Sequence, residues 1–297
     1  MKPVASVVVR ARNEAAMLGR LLAGIRLQDA GEVETILVDS GSTDDTRAIA
    51  LDGGCRVIDI PHASFTYGRA LNIGCDAAQA PVCVFVSAHC IPANDRWLSR
   101  LLLPLQDRAV AGVYGKQLPL PVTLAYEQRN LLTGFPIGSR RQTSSYFFHN
   151  ANSAVRRDVW ERLPFDETLT GLEDRHWARR SIADGYTIVY EPLAMVYHHH
   201  TETLSQIYGR WWNEGRALSR LEPGFRQSRA RFLLNYVRAV QRDARFVRRH
   251  GLSWRTLAAT LPQRFMEQYG TYRGVAAEGG YGGFHRAGAP HPGDHLA

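Results

Sequence analysis

Four apolar runs, each separated from the next by a more polar segment, fill the first 92 residues of the chain. The runs cover residues 4–9, 34–38, 55–61 and 82–89 and are rich in valine and isoleucine. Such runs are typical of parallel strands buried on both faces of a sheet. Between the first two runs, four apolar residues recur at the spacing of one helix face: Leu18, Leu21, Leu22 and Ile25. The alternation predicts βαβ units and a mostly parallel sheet flanked by helices.

Composition and charge limit which kinds of protein this chain can be and which partners it can bind. The chain has 297 residues, 45% of them hydrophobic, and a formal net charge of +8 that is concentrated in residues 205–264. This excess favours anionic partners such as nucleotides and acidic membrane surfaces. The four cysteines lack metal-site spacing, which is typical of free thiols in a reducing compartment. No signal peptide or transmembrane segment is evident. We therefore expect a cytoplasmic protein, at most peripheral at the inner face of the plasma membrane.

After residue 92 the sequence pattern changes. The sequence predicts a helix and a strand over residues 93–116 and an irregular excursion over 117–148. It predicts a helix that begins with two acids over residues 171–185. Residues 186–200 predict one bent strand or two short ones, ending in three histidines. Arginine-rich helices are expected over 204–275, and a disordered tail over 276–297. We expect a first domain over 1–203, with a nucleotide-binding half at 1–92 and an acceptor-binding half at 93–203.

The turn after the first strand excludes two common nucleotide-binding classes. It contains no glycine, and the chain has no GxxxxGK[ST] motif, so the dinucleotide-binding and P-loop interpretations lose their signatures. The turn carries Arg10, Arg12 and Glu14 instead, and the second strand ends in Asp39. Acids at adjacent strand ends can bind a base and a ribose. Asp39 alone equally fits a turn or helix cap.

His89 ends the fourth apolar run, in "VFVSAHCIP". By itself it fits a hydrogen-bonded core histidine, or a ligand-binding residue at the strand edge where active sites of open α/β sheets gather.

Taken in order, several segments resemble the family 2 glycosyltransferases, inverting enzymes with a GT-A fold. They are "SVVVRARNEAAMLGRLLAGI", "ILVDSGSTDDT", "FTYGRALNIGCDAA", "GLEDRHWARR" and "VYHHHTETL", and the resemblance covers roughly residues 4–215. Within the family, the sequence pattern most resembles the rhamnosyltransferase-like members, which implies a surface-polysaccharide pathway. The resemblance implies a GT-A-type sheet with a C-terminal basic helical extension. It also implies transfer of a sugar from a nucleoside diphosphate sugar to a glycan or lipid-linked acceptor.

The resemblance also assigns donor and metal residues. It implies donor contacts at Arg12, Glu14, Asp39, Ser42, Arg69 and Asn72. Where the family has Asp-x-Asp to hold a metal, this chain has Ser87-Ala88-His89, so His89 is expected to bind Mn²⁺ or Mg²⁺ or to contact the diphosphate directly. Imidazole suits Mn²⁺ better than Mg²⁺. A triple histidine is often a solvated surface feature, but the family's closing segment supplies a metal or phosphate contact, so the resemblance makes His198, and next His200, the further metal candidates. The two share a strand face because side chains alternate along a strand.

Glu173 and Asp174 are the expected catalytic acids. An inverting transfer needs one carboxylate to accept the proton of the acceptor hydroxyl. The resemblance favours Asp174 as that base and Glu173 as a residue orienting the acceptor, while both also suit a helix N-terminus. The missing Asp-x-Asp leaves an alternative: a catalytically silent nucleotide-sugar-binding or scaffold protein.

The basic helices leave two interpretations open. Arginines alternate there with Trp, Phe and Leu, which fits an interfacial membrane helix or an apolar face packed on the domain. No nucleic acid is expected as a partner, since no RNA-binding motif accompanies the arginines.

Overall fold

The computed structural model describes residues 2–279, and its first part follows the predicted alternation. The strands are β1 (Ala5–Ala11), β2 (Val33–Asp39), β3 (Arg56–Asp59) and β4 (Val82–Ser87). The helices between them are α1 (Ala15–Arg26), α2 (Thr46–Asp52) and α3 (Tyr67–Ala77). In α1 the four predicted apolar residues are the buried ones. Helix α3 begins where the Thr66 side chain accepts a hydrogen bond from the Arg69 amide, an N-cap.

The middle of the chain is more ordered than the sequence predicts. It contains β5 (Cys90–Pro92), α4 (Trp97–Leu102), β6 (Val110–Pro119), α5 (Ala125–Gly134), β7 (Arg140–Gln142), β8 (Asn152–Arg156), α6 (Arg157–Trp160), α7 (Glu173–Ala183) and β9 (Thr187–His198). The expectation of an irregular excursion over 117–148 is wrong, because α5 and β7 lie within it. The histidine-ended segment forms the single strand β9.

Within residues 2–279 the strands form one mixed sheet of order β3-β2-β1-β4-β8-β6-β9-β5, with β7 paired to β9. The four N-terminal strands are parallel, whereas β8 pairs antiparallel with β4 and β6, and β9 pairs antiparallel with β5 and β7. The α/β fold class is confirmed. Register places Ala11 opposite Asp39 and Arg10 opposite Ser87, so the polar ends of β1, β2 and β4 meet at one edge.

Contacts divide the chain into two compact units. The first comprises residues 1–118, 135–169 and 173–199. Its core is made by β1, β4, α1 and α4, and it includes fully buried Trp97, whose Nε1 donates to Asn152 Oδ1 at 2.8 Å. Its cysteines, Cys55, Cys75, Cys83 and Cys90, are buried free thiols, as expected.

The second unit comprises residues 119–134, 170–172 and 200–297. It contains α5 and three longer helices, α8 (Leu204–Leu221), α9 (Arg229–Arg249) and α10 (Trp254–Ala277). Buried Arg264 joins α10 to α9 through Asp243, 2.6 Å away, and pairs with Glu267 at 2.7 Å. The expectation that the disordered tail begins at residue 276 is wrong, because helix α10 continues to Ala277, and the rest of the expected tail, residues 280–297, lies outside the described residues. Within residues 2–279, the helices are all too short or too polar to cross a bilayer.

Candidate active site

The loops that follow β1 and β2 are joined by hydrogen bonds in both directions. Asn13, which has a left-handed φ of 57°, accepts from the Thr43 amide at 2.8 Å, and its own amide donates to Ser42 Oγ at 2.9 Å. The Glu14 amide donates to Thr46 Oγ1 at 2.7 Å. The Glu14 side chain caps no amide of α1 and points elsewhere. This network fixes the backbone from which Glu14 projects.

Asp39, at the end of β2, forms a closed turn. Its carboxylate accepts from the amides of Gly41 and Ser42 at 3.1 and 3.0 Å and from Ser42 Oγ. Gly41 has a φ of 86°, which glycine adopts without strain. The turn interpretation of Asp39 is confirmed. The donor contacts of Asp39 and Ser42 stay predictions, as does that of Arg12, whose Nη1 lies 3.0 Å from His62 Nε2.

Arg69 and Asn72 lie on α3 but differ in environment. Arg69 is half exposed and 4.0 Å from Glu167, so its guanidinium can reach a ligand. Asn72 is buried: its Nδ2 donates to Phe165 O and Glu167 Oε1, and its Oδ1 accepts from Trp160 Nε1. Asn72 thus anchors the loop after α6, and its predicted donor contact stays a prediction.

His89 and His198 form a pair. Strand β5 places Cys90 opposite His198 of β9, so His89, one residue earlier, comes beside His198. The two Nε2 atoms lie 3.1 Å apart and the rings are 12° from parallel. The sequence predicts each histidine at the end of a strand but cannot predict this pairing, because β5 has only three residues and its partner follows about 100 residues later.

The Nδ1 atom of each ring contacts a side-chain oxygen of a residue outside the pair. Nδ1 of His89 lies 2.8 Å from Glu14 Oε1, and Nδ1 of His198 lies 2.5 Å from Oε1 of fully buried Gln117 at the end of β6. Gln117 is a site residue that sequence reasoning missed, since a lone glutamine at a strand end carries no signal. Glu14 was expected at the nucleoside, and here it contacts His89.

His200 belongs to the second unit, where its Nδ1 contacts Glu127. Burial raises the pKa of Glu127 to about 7. The role of His200 as a metal ligand stays a prediction.

Glu173 and Asp174 begin α7 and lie in different environments. Glu173 is buried, with Arg10 Nη1 3.5 Å from its Oε1, and Asp174 is half buried. Burial, followed by the charge of Asp174, raises the pKa of Glu173 to about 7. Asp174 accepts from the amides of Asn150 and Arg175 at 3.2 and 2.7 Å. These two amides fix the orientation of the Asp174 carboxyl group.

Residues 149 and 150 connect the two pairs. The His149 ring lies 6.5 Å from that of His198, and the next residue donates its amide to Asp174. The first unit therefore carries two linked centres at the edge where its parallel strands end. One offers imidazole nitrogens, which suit a borderline divalent cation. The other offers a carboxylate that can accept a proton.

Sequence comparison finds two similar enzymes. The chain is 33% identical over 193 residues to the O-antigen chain rhamnosyltransferase WbaN of Salmonella anatum, covering 61% of each chain. It is 26% identical over 222 residues to the O-antigen chain rhamnosyltransferase RfbN of Salmonella typhimurium, covering 71% of each.

The fold is also that of a solved enzyme. The mannosyltransferase PcManGT of Pyrobaculum calidifontis, in complex with GDP-Man and Mn²⁺, superposes with a TM-score of 0.61 at 19% identity, over 93% of this chain and 86% of that one. This likeness confirms the expected GT-A-type fold. The profile of the family described as "Glycosyl transferase family 2" matches residues 6–163. This range begins in β1, includes His89 and ends in the loop after α6. On that match over more than half its length, this chain belongs to glycosyl transferase family 2.

Proposed function

We propose that this protein transfers a sugar, with inversion, from a nucleoside diphosphate sugar to a hydroxyl of a glycan or lipid-linked acceptor. The observation that carries the proposal is the link between the histidine pair and the acid pair through residues 149 and 150. Both similar O-antigen enzymes are named rhamnosyltransferases. We therefore propose rhamnose as the first sugar to test.

Asp174 acts as the general base. As the acceptor oxygen attacks the anomeric carbon, Asp174 takes the hydroxyl proton, the bond from that carbon to the diphosphate oxygen breaks, and the nucleoside diphosphate leaves. The amides of Asn150 and Arg175 hold the carboxyl group of Asp174 in place before the attack. Glu173, behind it and against Arg10, orients this helix start.

His89 and His198 are the residues that would hold a divalent ion. Their two nitrogens fit Mn²⁺, the ion that accompanies GDP-Man in PcManGT. Such an ion offsets the negative charge of the leaving diphosphate. Arg69, half exposed at the start of α3, contributes a guanidinium to the same phosphates.

A donor screen tests the proposal. Purified protein is incubated with UDP, dTDP and GDP sugars, with and without Mn²⁺, and release of the nucleoside diphosphate is measured. We expect turnover with one donor, and an inverted anomeric configuration in the NMR spectrum of the product. Asp39→Ala should abolish donor binding in calorimetry without changing the circular dichroism spectrum. Donor binding without turnover on any acceptor would favour the silent-protein alternative.

We also propose that α9 contacts an anionic membrane surface, where a lipid-linked acceptor would be found. Leu233, Leu234 and Val237 are 55%, 47% and 48% exposed near its start. The helix has seven arginines, and Asp243, its one acidic residue, is buried against Arg264. Exposed apolar residues beside arginines match the interface of an anionic bilayer.

Vesicle flotation tests this surface. Full-length protein should float with phosphatidylglycerol vesicles and not with phosphatidylcholine vesicles. Leu233→Glu should reduce flotation, whereas Leu132→Glu, the same change at an exposed leucine of α5, should not. Equal flotation of both variants would contradict the assignment.

A further inference from the structure

The contacts behind the histidine pair determine which nitrogen of each ring carries a proton. Glu14 is a carboxylate and can only accept a hydrogen bond, so Nδ1 of His89, 2.8 Å away, is the donor. A neutral His89 then has its unprotonated nitrogen at Nε2. The carboxylate therefore fixes both the tautomer and the orientation of the ring.

Gln117 does the same for His198 with a neutral oxygen. Its Oε1 lies 2.5 Å from Nδ1 of His198, and the side chain is fully buried at the end of β6. Nδ1–H of His198 donates to Gln117, and Nε2 of His198 is again the unprotonated nitrogen.

Two unprotonated nitrogens therefore point at each other across 3.1 Å. Two lone pairs at that distance repel unless a proton or a cation is shared between them. Histidines that bind metals have the same arrangement on their far side, because the second ring nitrogen donates to a carboxylate or carbonyl oxygen. One ring lies in the turn between β4 and β5 and the other at the end of β9, and each is held by a different oxygen, which matches that pattern.

We propose that Glu14 and Gln117 are positioning residues of a two-histidine cation site. They hold Nδ1–H of His89 and His198 so that both Nε2 atoms are presented to a borderline divalent ion such as Mn²⁺ or Co²⁺. This inference rests on the proposed function only in placing that ion beside the donor phosphates. It assigns Glu14 to the metal side of the site, where the sequence suggested a nucleoside contact.

Metal binding without any sugar donor tests the inference. Free Mn²⁺ is titrated by electron paramagnetic resonance, and Co²⁺ loading is followed by its visible absorption, which responds to nitrogen ligands. Gln117→Met and Glu14→Met keep side-chain length but remove the acceptor. Each should weaken Mn²⁺ binding by about 10- to 100-fold, the usual loss when the partner of a metal-binding histidine is removed.

The conservative variant and a matched control separate positioning from packing. Gln117→Glu restores an acceptor and should bind Mn²⁺ as tightly as the wild type or more tightly. Gln142→Met removes another buried amide, which accepts from Tyr114 and donates to Phe147 O, and it should leave Mn²⁺ affinity unchanged. Because Glu14 is partly exposed, its variants remain informative if Gln117→Met fails to fold.

Three outcomes would overturn the inference. One is wild-type Mn²⁺ affinity in folded Glu14→Met and Gln117→Met. A second is Gln117→Glu binding as weakly as Gln117→Met. A third is wild-type protein that binds neither ion, with the two rings simply sharing a proton. If His89→Ala alone loses Mn²⁺, the inference fails while the proposed metal ligands stand, and sugar transfer is judged separately in the donor screen.

Discussion

The histidine pair and the acid pair lie in the same unit, but different kinds of contact hold their side chains. Each imidazole of His89 and His198 is held by an oxygen from outside the pair, and the two Nε2 atoms face each other. In the acid pair, Glu173 is buried, while Asp174 is half buried and accepts hydrogen bonds from two backbone amides. The difference teaches that side-chain acceptors orient the two rings of one pair, whereas burial separates two adjacent acids of the other into one buried and one half-buried group.

Replacement of Asp174 should produce the largest effect and should be confined to the acid pair. Asp174→Asn keeps the shape of the side chain but removes the proton acceptor, and loss of a general base costs roughly 10²- to 10⁴-fold in turnover. Donor affinity and Mn²⁺ affinity should stay unchanged. Steady-state kinetics and calorimetry measure these quantities.

The matched control for this change is Asp158→Asn, at an acid paired with Arg156. It should keep wild-type turnover. An Asp174→Asn enzyme with wild-type turnover would place the base elsewhere and end the functional contrast between the two pairs.

Replacement of His89 should weaken cation binding, the property that replacement of Asp174 should leave unchanged. His89→Ala removes a nitrogen ligand and should weaken Mn²⁺ binding by about 100-fold or more, above the loss typical of a supporting residue. His89→Asp supplies an oxygen ligand and should shift preference toward Mg²⁺.

The structure adds a complication that makes the aspartate variant more informative. Asp at position 89 would face the carboxylate of Glu14, and like charges at close range repel. Glu14→Gln combined with His89→Asp should therefore bind Mg²⁺ more tightly than His89→Asp alone. If both variants at position 89 keep the wild-type response to Mn²⁺, the histidine pair has no role in cation binding.

The parts of the molecule that sequence could predict are those set by local pattern. The β-branched runs and the apolar spacing of α1 predicted the parallel half of the sheet, because burial on two faces leaves a strong signature. Helix α5 was missed because its buried face includes Glu127, a charged residue that hides the apolar stripe.

The candidate site was predictable residue by residue, but its internal contacts were not. Both histidines and both acids stand at strand or helix ends that the sequence identified. The contact of Gln117 with His198 depends on which strands pair across the antiparallel half of the sheet, and the contact of Glu14 with His89 depends on β4 pairing directly with β1. Pairings between residues 75 to 109 positions apart are set by packing of the whole unit, and no short motif encodes them.

The smallest predicted effect concerns stability and tests the buried member of the acid pair. The pKa of Glu173 is raised from 4.5 to about 7, mainly by burial. Between these values the unfolded chain has released the proton and the folded chain still holds it, so stability falls as pH rises through this window. Glu173→Gln cannot ionise. Relative to the wild type it should therefore gain stability from pH 4.5 to about 7 and level off above that.

We expect a relative gain of about 2 kcal/mol, less than the full pKa shift would give at about 1.4 kcal/mol per unit, because nearby polar groups relax around the charge. Urea unfolding at pH 5, 7 and 8.5 measures it, with Glu161→Gln as an exposed control whose stability relative to the wild type should not vary with pH. The comparison of the two proteins cancels every other titrating group. A stability difference between Glu173→Gln and the wild type that is constant across this range would mean that Glu173 is ionised in the folded protein. Burial would then not be what distinguishes it from Asp174, and either acid could accept the proton.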